Sequence, residues 1–497
     1  MQGRSRLMEA LRLRMNGSFP VEKGSAALGM KGESGMGWRD QKVAVIGLGV
    51  SNIPLIRYLA AEGARITVCD RQKPVELESR LAQIAGLPVS YKLGEGYLEG
   101  LTEFDTIFLS PGIPKDLPEI AALRGLGIRF SSEMEVFFEL CPAPIVGITG
   151  SSGKTTTTTL VGEILKSQGG RKVFVGGNIG NSLLDEIPHM SPEDLAVLEL
   201  SSFQLENLPR SPRFALMTNI TPNHLDVHKR MEAYIKAKRR ILDSQNPHDF
   251  AVLNYDNDVT RSFALDCPGQ VFYFSRLAEP ERGAFLRSGM IVVRDVGFAK
   301  GREEVLCPIG AVRLLGVHNW ENVLAAVTLT ALCGAQREAI TKVIASFTGV
   351  PHRLELVAEV DGVKYYNDSI ATSPARAVAG INALHEPLVL IAGGYDKQLS
   401  FEQLAETVVE RVKAVVLVGA AAAKLEAAIR GKQHRPDEPI VCRSESFDDA
   451  VQRAAELAAP GDVVLLSPAC ASYDMFRNFE ERGERFREIV RELAEEG

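Results

Sequence analysis

From Ile145 to Ile148 the chain is apolar, and it then turns through Thr149-Gly150-Ser151-Ser152-Gly153-Lys154-Thr155 into a helical stretch rich in Thr and Leu. Strand, glycine turn and helix in that order admit few folds. They call for an α/β sheet that delivers a phosphate loop at a strand's carboxyl end. The glycines allow backbone N–H groups to turn inward on phosphate oxygens, and the helix start adds the positive end of its dipole. Lys154 is placed for the β- and γ-phosphates of a nucleotide and the Thr155 hydroxyl for Mg²⁺. Gly150, Ser151, Ser152, Gly153 and Thr156 complete the candidate nucleotide turn. The strict motif has glycine where this chain has Ile148, with Gly147 displaced by one, so an ordinary Gly/Ser/Thr turn before a helix is the competing reading.

The same alternation runs along the chain. Val43–Ile46, the turn Gly47-Leu48-Gly49, a helical stretch near Ile53–Glu62 and the run Ile66–Cys69, ending at Asp70, make a strand–helix–strand unit. Ile107–Leu109 reads as a further strand. Leu195–Leu198, ending at Glu199, and Ala215–Met217, ending at Thr218-Asn219, are strands of a middle region, and His318–Gly334 has helical spacing. Leu388–Ile391, Ala414–Val418 and Val463–Leu466 are strands of a third region. The pattern predicts an α/β protein of parallel sheets with helices on both faces. Three domains follow in series: Rossmann-like over 41–140, a P-loop ATPase type over 141–349, and a second Rossmann-like domain over 350–497. Residues 1–40 are basic, rich in Gly and Met and without the apolar core of a secretory signal, and are expected to be a flexible extension. Gly47, Gly49 and Asp70 form part of a dinucleotide fingerprint, but Asn52 replaces its third glycine, which argues against NAD.

Composition narrows the partners. Hydrophobic residues make up 45% of the chain and charged ones 24%, the balance of a globular protein. With 56 basic against 63 acidic residues the net charge is −7, which gives no support to a nucleic-acid or anionic-membrane partner. No apolar run is long enough to cross a bilayer. The cysteines, at 69, 141, 267, 307, 333, 442 and 470, are odd in number and form no CxxC pair, so reduced thiols are expected rather than disulfides or zinc ligands.

Further segments sharpen the picture. Gly153-Lys154-Thr155-Thr156 is followed by Glu199-Leu200-Ser201-Ser202-Phe203-Gln204 and Asn219-Ile220-Thr221-Pro222-Asn223-His224-Leu225-Asp226. Then come His318-Asn319-Trp320-Glu321-Asn322, Pro351-His352-Arg353, Asn367-Asp368-Ser369 and Gly393-Gly394-Tyr395-Asp396-Lys397. Leu466-Ser467-Pro468-Ala469-Cys470-Ala471-Ser472 and Asn478-Phe479-Glu480-Glu481-Arg482-Gly483 close the series. In kind and order these segments resemble the Mur ligases, and among them the members that add D-glutamate, over roughly Gln41 to the C-terminus. The resemblance implies a cytoplasmic, monomeric, ATP-dependent acid–amino-acid ligase of peptidoglycan synthesis. Such an enzyme phosphorylates the terminal carboxylate of UDP-N-acetylmuramoyl-L-alanine, and glutamate then attacks the acyl phosphate.

The resemblance also implies roles. Lys154, Glu199, His224 and Lys238 are the catalytic set. Thr155 and Glu199 would hold one Mg²⁺, and His224 with a carbamylated Lys238 a second. Asn319, Asn322, Arg353 and Asp368 match ATP contacts. Gly49, Val50, Ser51, Asp70 and Asn178 match contacts to the UDP-sugar, and Thr372, Lys397, Ser472 and Phe479 contacts to glutamate. Taken without the resemblance, Lys238 reads as a solvated lysine on a basic helix face and Ser472 as a helix cap. One position departs from the pattern: Ile370 stands where the D-glutamate enzymes often have lysine. That lost cation leaves L-glutamate open as the amino acid. A folylpolyglutamate-synthase-like ligase and a P-loop NTPase without ligase activity are the other rivals.

Overall fold

A computed structural model gives the fold over residues 37–111, 113, 117–179, 182–206, 208–221, 231–314, 316–396, 399–433, 435 and 438–496. Two of the expected site residues, His224 and Lys397, lie outside the described residues, as does most of the expected N-terminal extension. Trp38, which falls within that stretch, is 2% exposed and packs on Phe108 with ring centroids 5.4 Å apart. A buried indole of this size anchors the chain well before Gln41.

Among the described residues the strands form three sheets. The first contains β1 (Lys42–Ile46), β2 (Arg65–Asp70), β3 (Val89–Leu93), β4 (Thr106–Leu109) and β5 (Arg129–Ser131), in the order β3-β2-β1-β4-β5 and all parallel. The second contains β6 (Ile145–Thr149), β7 (Val173–Gly177), β8 (Leu195–Glu199), β9 (Phe214–Met217), β10 (Phe250–Asn254), β11 (Gln270–Ser275), β12 (Gly283–Arg287), β13 (Met290–Arg294) and β14 (Glu303–Pro308). Its order is β14-β13-β12-β11-β10-β9-β6-β8-β7. The third runs β15-β16-β20-β17-β18-β19, from β15 (Glu355–Val360), β16 (Val363–Asn367), β17 (Leu388–Gly393), β18 (Val412–Val418), β19 (Ile440–Arg443) and β20 (Val463–Ala469). The protein is thus a three-domain α/β protein, as the alternation predicts.

The sheets are not wholly parallel, and here the expectation needs correction. β12, β13 and β14 form an antiparallel meander on the edge of the second sheet, and β15 runs antiparallel to β16. Ser288 (φ 48°) and Gly289 (φ 74°) turn β12 directly into β13. Two left-handed residues make a tight hairpin, and so short a link cannot carry the crossover that parallel pairing requires.

Packing places the chemistry. β6 lies between β8 and β9 with all five of its residues buried, and its register sets Ile148 beside Glu199 and Thr149 beside Met217. The carboxyl ends of three adjacent strands therefore open on one point, where crossover connections leave a parallel sheet free to bind ligands. At the first joint, Ser132 caps the helix Glu133–Leu140 by accepting from the Glu135 amide. The buried Glu133 accepts from the Ser182 hydroxyl across the boundary with the second sheet's domain, and burial pushes its carboxyl up to about 7.

In the third domain Arg482 is buried without a carboxylate among its hydrogen-bond partners. Its Nε donates to Ser369 Oγ (3.0 Å), Nη2 to the Ser369 carbonyl (2.9 Å) and Nη1 to the Cys470 carbonyl (3.2 Å). Burial holds its guanidinium down at about 10. Replacing it with Met leaves those acceptors unanswered inside the domain, so Arg482→Met is expected to destabilise the protein by about 2–4 kcal/mol. A urea midpoint equal to the parent's would refute this.

Candidate active site

The phosphate loop is held open by its neighbours. Gly150 has φ +150° and a Cβ there would lie 1.8 Å from Thr218 Oγ1; at Gly153 (φ +79°) it would lie 2.2 Å from Asn322 Oδ1. No side chain fits either place, so the turn depends on both glycines. The Ser151 amide donates to the Asn219 carbonyl (2.9 Å) and the Ser152 amide to Asn219 Oδ1 (3.0 Å). The Thr218 hydroxyl donates to the Ser152 carbonyl at 2.6 Å. After Gly153 the helix Lys154–Gln168 begins. The amides of its first turn have no partner within the helix, which is what an anion-binding end requires. Lys154 Nζ folds back on the carbonyls of Gly150 (3.0 Å) and Ser151 (3.2 Å).

Glu199 ends β8 next to this loop. Its Oε1 accepts from Asn178 Nδ2 at 2.8 Å, while Oε2 is buried and has no hydrogen-bond partner among the described residues. A carboxylate oxygen taken from water and left unanswered carries a penalty that a cation removes. Thr155, Asn178 and Glu199 face Arg353, Asp368 and Phe479 of the third domain across a cleft of about 650 Å³. Among the described residues no cluster of three or more His, Cys, Asp or Glu groups surrounds a metal position. Mg²⁺ at phosphoryl-transfer sites takes few protein ligands and fills its shell with phosphate and water oxygens, so Glu199 and Thr155 suit that ion.

Arg353 lines the cleft, and Lys154 lies in the adjoining phosphate loop. Burial lowers the pKa of Lys154, Glu199 opposes that shift, and the positive charge of Arg353 adds to it. Like charges near enough to influence one another suit a polyanion bound beside them. Arg353 is presented by a loop whose His352 ring is held 3.0 Å from Asn367 Nδ2. Asp368 accepts from the Ser467 hydroxyl (2.9 Å) and the Leu354 amide (3.2 Å), and burial pushes its carboxyl up to about 7. Asn319 and Asn322 stand in the first turns of the helix Val317–Leu332; Asn322 Nδ2 donates to Asn319 Oδ1 (2.9 Å) while Asn322 Oδ1 accepts from Thr157 (3.3 Å).

Lys238 overturns the bland reading of its sequence. It is 2% exposed on the helix Met231–Asp243, with Nζ 3.4 Å from Thr149 Oγ1 and 4.8 Å from the centre of the Tyr234 ring. Burial first, then the charge of Lys154, push its pKa down to about 7 against the pull of Glu199. Tyr234 was missed by sequence reasoning. Its hydroxyl lies 3.0 Å from Ser151 Oγ, joining the lysine's helix to the phosphate loop. Its place four residues before Lys238 on the same helix face was the available signal.

Other expected residues lie apart from this cleft. Gly49, Val50, Ser51 and Asp70 cluster at the carboxyl edge of the first sheet, where Ser51 lines a smaller crevice with Ser110, Glu133, Phe203 and Gln204. Asp70 ties the glycine turn after β1 to its own: Oδ2 accepts from the Leu48 amide (2.7 Å) and Oδ1 from the Gln72 amide (2.9 Å). Asn178, expected beside the UDP-sugar, stands in the main cleft on Glu199. Ser472 is buried, and its carbonyl accepts from the Met475 and Phe476 amides in a turn. It does not cap the helix that starts at Phe479. Thr372 is half-buried, with its amide on the Ile370 carbonyl at 2.8 Å.

Sheet order, phosphate loop and cleft together define a nucleotide-handling α/β protein whose site is divided between domains. The MurD-like N-terminal domain of Mur ligases matches residues 41–132, the Mur ligase middle domain 148–330 and the Mur ligase glutamate ligase domain 352–470. The chain belongs to the Mur ligase family, and it is a ligase. UDP-N-acetylmuramoylalanine–D-glutamate ligase of Acetivibrio thermocellus is 49% identical over 460 residues, covering 92% of this chain and 97% of that protein. The ligase of the same name from Symbiobacterium thermophilum is 49% identical over 457 residues, covering 91% and 98%. Among solved structures, UDP-N-acetylmuramate-alanine ligase MurC of Thermotoga maritima has the same fold, with a TM-score of 0.52 at 16% identity over 91% of this chain and 99% of that one.

Proposed function

We propose that this protein joins D-glutamate to the L-alanyl carboxylate of UDP-N-acetylmuramoyl-L-alanine, driven by ATP, in cytoplasmic peptidoglycan synthesis. The observation that carries the reading is the cleft in which Thr155 and Glu199, with one carboxylate oxygen unanswered among the described residues, face Arg353 and Asp368 beside the phosphate loop that holds Lys154. The substrate names come from relatives that are nearly half identical over nine-tenths of the chain.

In this reading Lys154 leaves the loop carbonyls to hold the β- and γ-phosphates. Asn319, Asn322, Arg353 and Asp368 would border the adenosine and phosphates of ATP. Mg²⁺ ions, when bound, neutralise the phosphates and align the γ-phosphoryl group with the acceptor carboxylate. Glu199, oriented by Asn178, and the Thr155 hydroxyl would hold one ion; His224 and Lys238 would serve the other. Lys238 suits that part only as a carbamate, since an ammonium has no lone pair. Its lowered pKa leaves a large neutral fraction at pH 7, the form that adds CO₂. Gly49, Val50, Ser51 and Asp70 would border the UDP-sugar; Thr372, Lys397, Ser472 and Phe479 the glutamate. Domains corresponding to 41–140, 141–349 and 350–497 would each bring one reactant, and closure would keep water from the acyl phosphate.

Purified protein with ATP, Mg²⁺ and UDP-N-acetylmuramoyl-L-alanine is expected to release phosphate and form a new amide with D-glutamate and not with L-glutamate. Product with L-glutamate alone would transfer the assignment to that rival, and no product with either would end it.

A further inference from the structure

The cleft contains a cation that no role above uses. Arg376 stands in the first turn of the helix Pro374–Asn382, and it lines the cleft beside Asp368, Ile370 and Phe479. Its Nη1 donates to the Ile370 carbonyl at 3.2 Å. Among the described residues it makes no ion pair. The nearby Asp368 feels its charge but accepts from Ser467 and Leu354. The side chain of Ile370 brings no charge to this end of the cleft.

We propose that Arg376 binds a carboxylate of the incoming amino acid. The inference rests on the glutamate-ligating reading above. Glutamate brings two carboxylates and an amine that must be neutral to attack, so its binding needs two cationic positions. A carboxylate drawn into a cleft without a cation loses its hydration and gains nothing in return. Lys397 serves one carboxylate in that reading, and residue 370 is aliphatic. Arg376 supplies the second cation from the adjacent helix. Its one bond to the Ile370 carbonyl tethers the exposed guanidinium through Nη1 and leaves its other N–H groups for a carboxylate, the fork geometry in which arginine binds best.

The test is steady-state kinetics of the full-length protein with each substrate varied in turn. Arg376→Met is expected to raise KM for D-glutamate by about tenfold to a hundredfold, the effect of losing a charge-assisted hydrogen bond, with KM for ATP and for the UDP-substrate unchanged. Adding Ile370→Lys to Arg376→Met returns a cation to the same end of the cleft and is expected to bring KM for D-glutamate back down. An unchanged KM for D-glutamate in Arg376→Met, or a parallel rise in all three, would overturn the placement while leaving the ligase reading intact. A parent enzyme that makes no product with D-glutamate would bring down the ligase reading itself, a result distinct from either.

Discussion

Lys154→Met is expected to lose about 10³-fold in kcat/KM, the scale seen when one preorganised charge is removed from a phosphoryl-transfer site. The loss is catalytic because the lysine contributes little to the fold. Its hydrogen bonds are to two loop carbonyls, Gly150 and Ser151, and burial already disfavours its charge. Methionine keeps the stem packed and removes only the ammonium. Thermal unfolding should therefore stay within a few degrees of the parent while phosphate release collapses. A variant that retained a tenth of the activity would show that the loop amides and Arg353 hold the phosphates without it.

Lys238 gives the second large effect and a pH signature. Lys238→Ala is expected to cost about 10²–10³-fold in kcat. With the folded pKa near 7, far below the ordinary lysine value, the neutral amine becomes the main form as pH rises through 7. Carbamate formation in ¹³C-bicarbonate should rise between pH 6 and 8 and then level off, read as a carbonyl signal absent from Lys238→Ala. The same shift sets the sign for stability. Between pH 7 and the unfolded value the unfolded chain binds the extra proton, so the penalty this group places on the folded state is full below 7 and shrinks as pH rises. No carbamate signal at pH 8, together with an active Lys238→Ala, would remove the lysine from the mechanism.

Much of this was legible in the sequence, for identifiable reasons. Strands buried on both faces read as continuous apolar runs, so Val43–Ile46, Ile145–Ile148, Leu195–Leu198, Ala414–Val418 and Val463–Leu466 all lie in observed strands. The phosphate loop was visible because its glycines answer a local steric demand. The antiparallel meander was not, because Glu303, Glu304 and Arg287 interrupt it with charge; these side chains pair across its surface, as Arg287 with Glu303. Lys238 misled because its neighbours Lys236, Arg239 and Arg240 suggest a solvated face, whereas burial is decided by what packs on the helix. Arg482 and Arg376 belong to the same class. A charge's partners are distant in sequence, and only the fold shows that one arginine is enclosed by carbonyls and another open to a cleft.

The enclosed Arg482 carries a consequence for motion. It ties the segment at Ser369 to the one at Cys470, so loops leaving two strands of the third sheet form a single stiff body. If the reactants draw the domains together as proposed, that body would have little internal freedom left to lose. On the proposed closure, the entropy of approach would fall instead on the connection around Gly349, whose φ of +130° is available chiefly to glycine. Slackness at the arginine and stiffness at the glycine would therefore affect turnover differently: the first blurs the target and the second delays arrival.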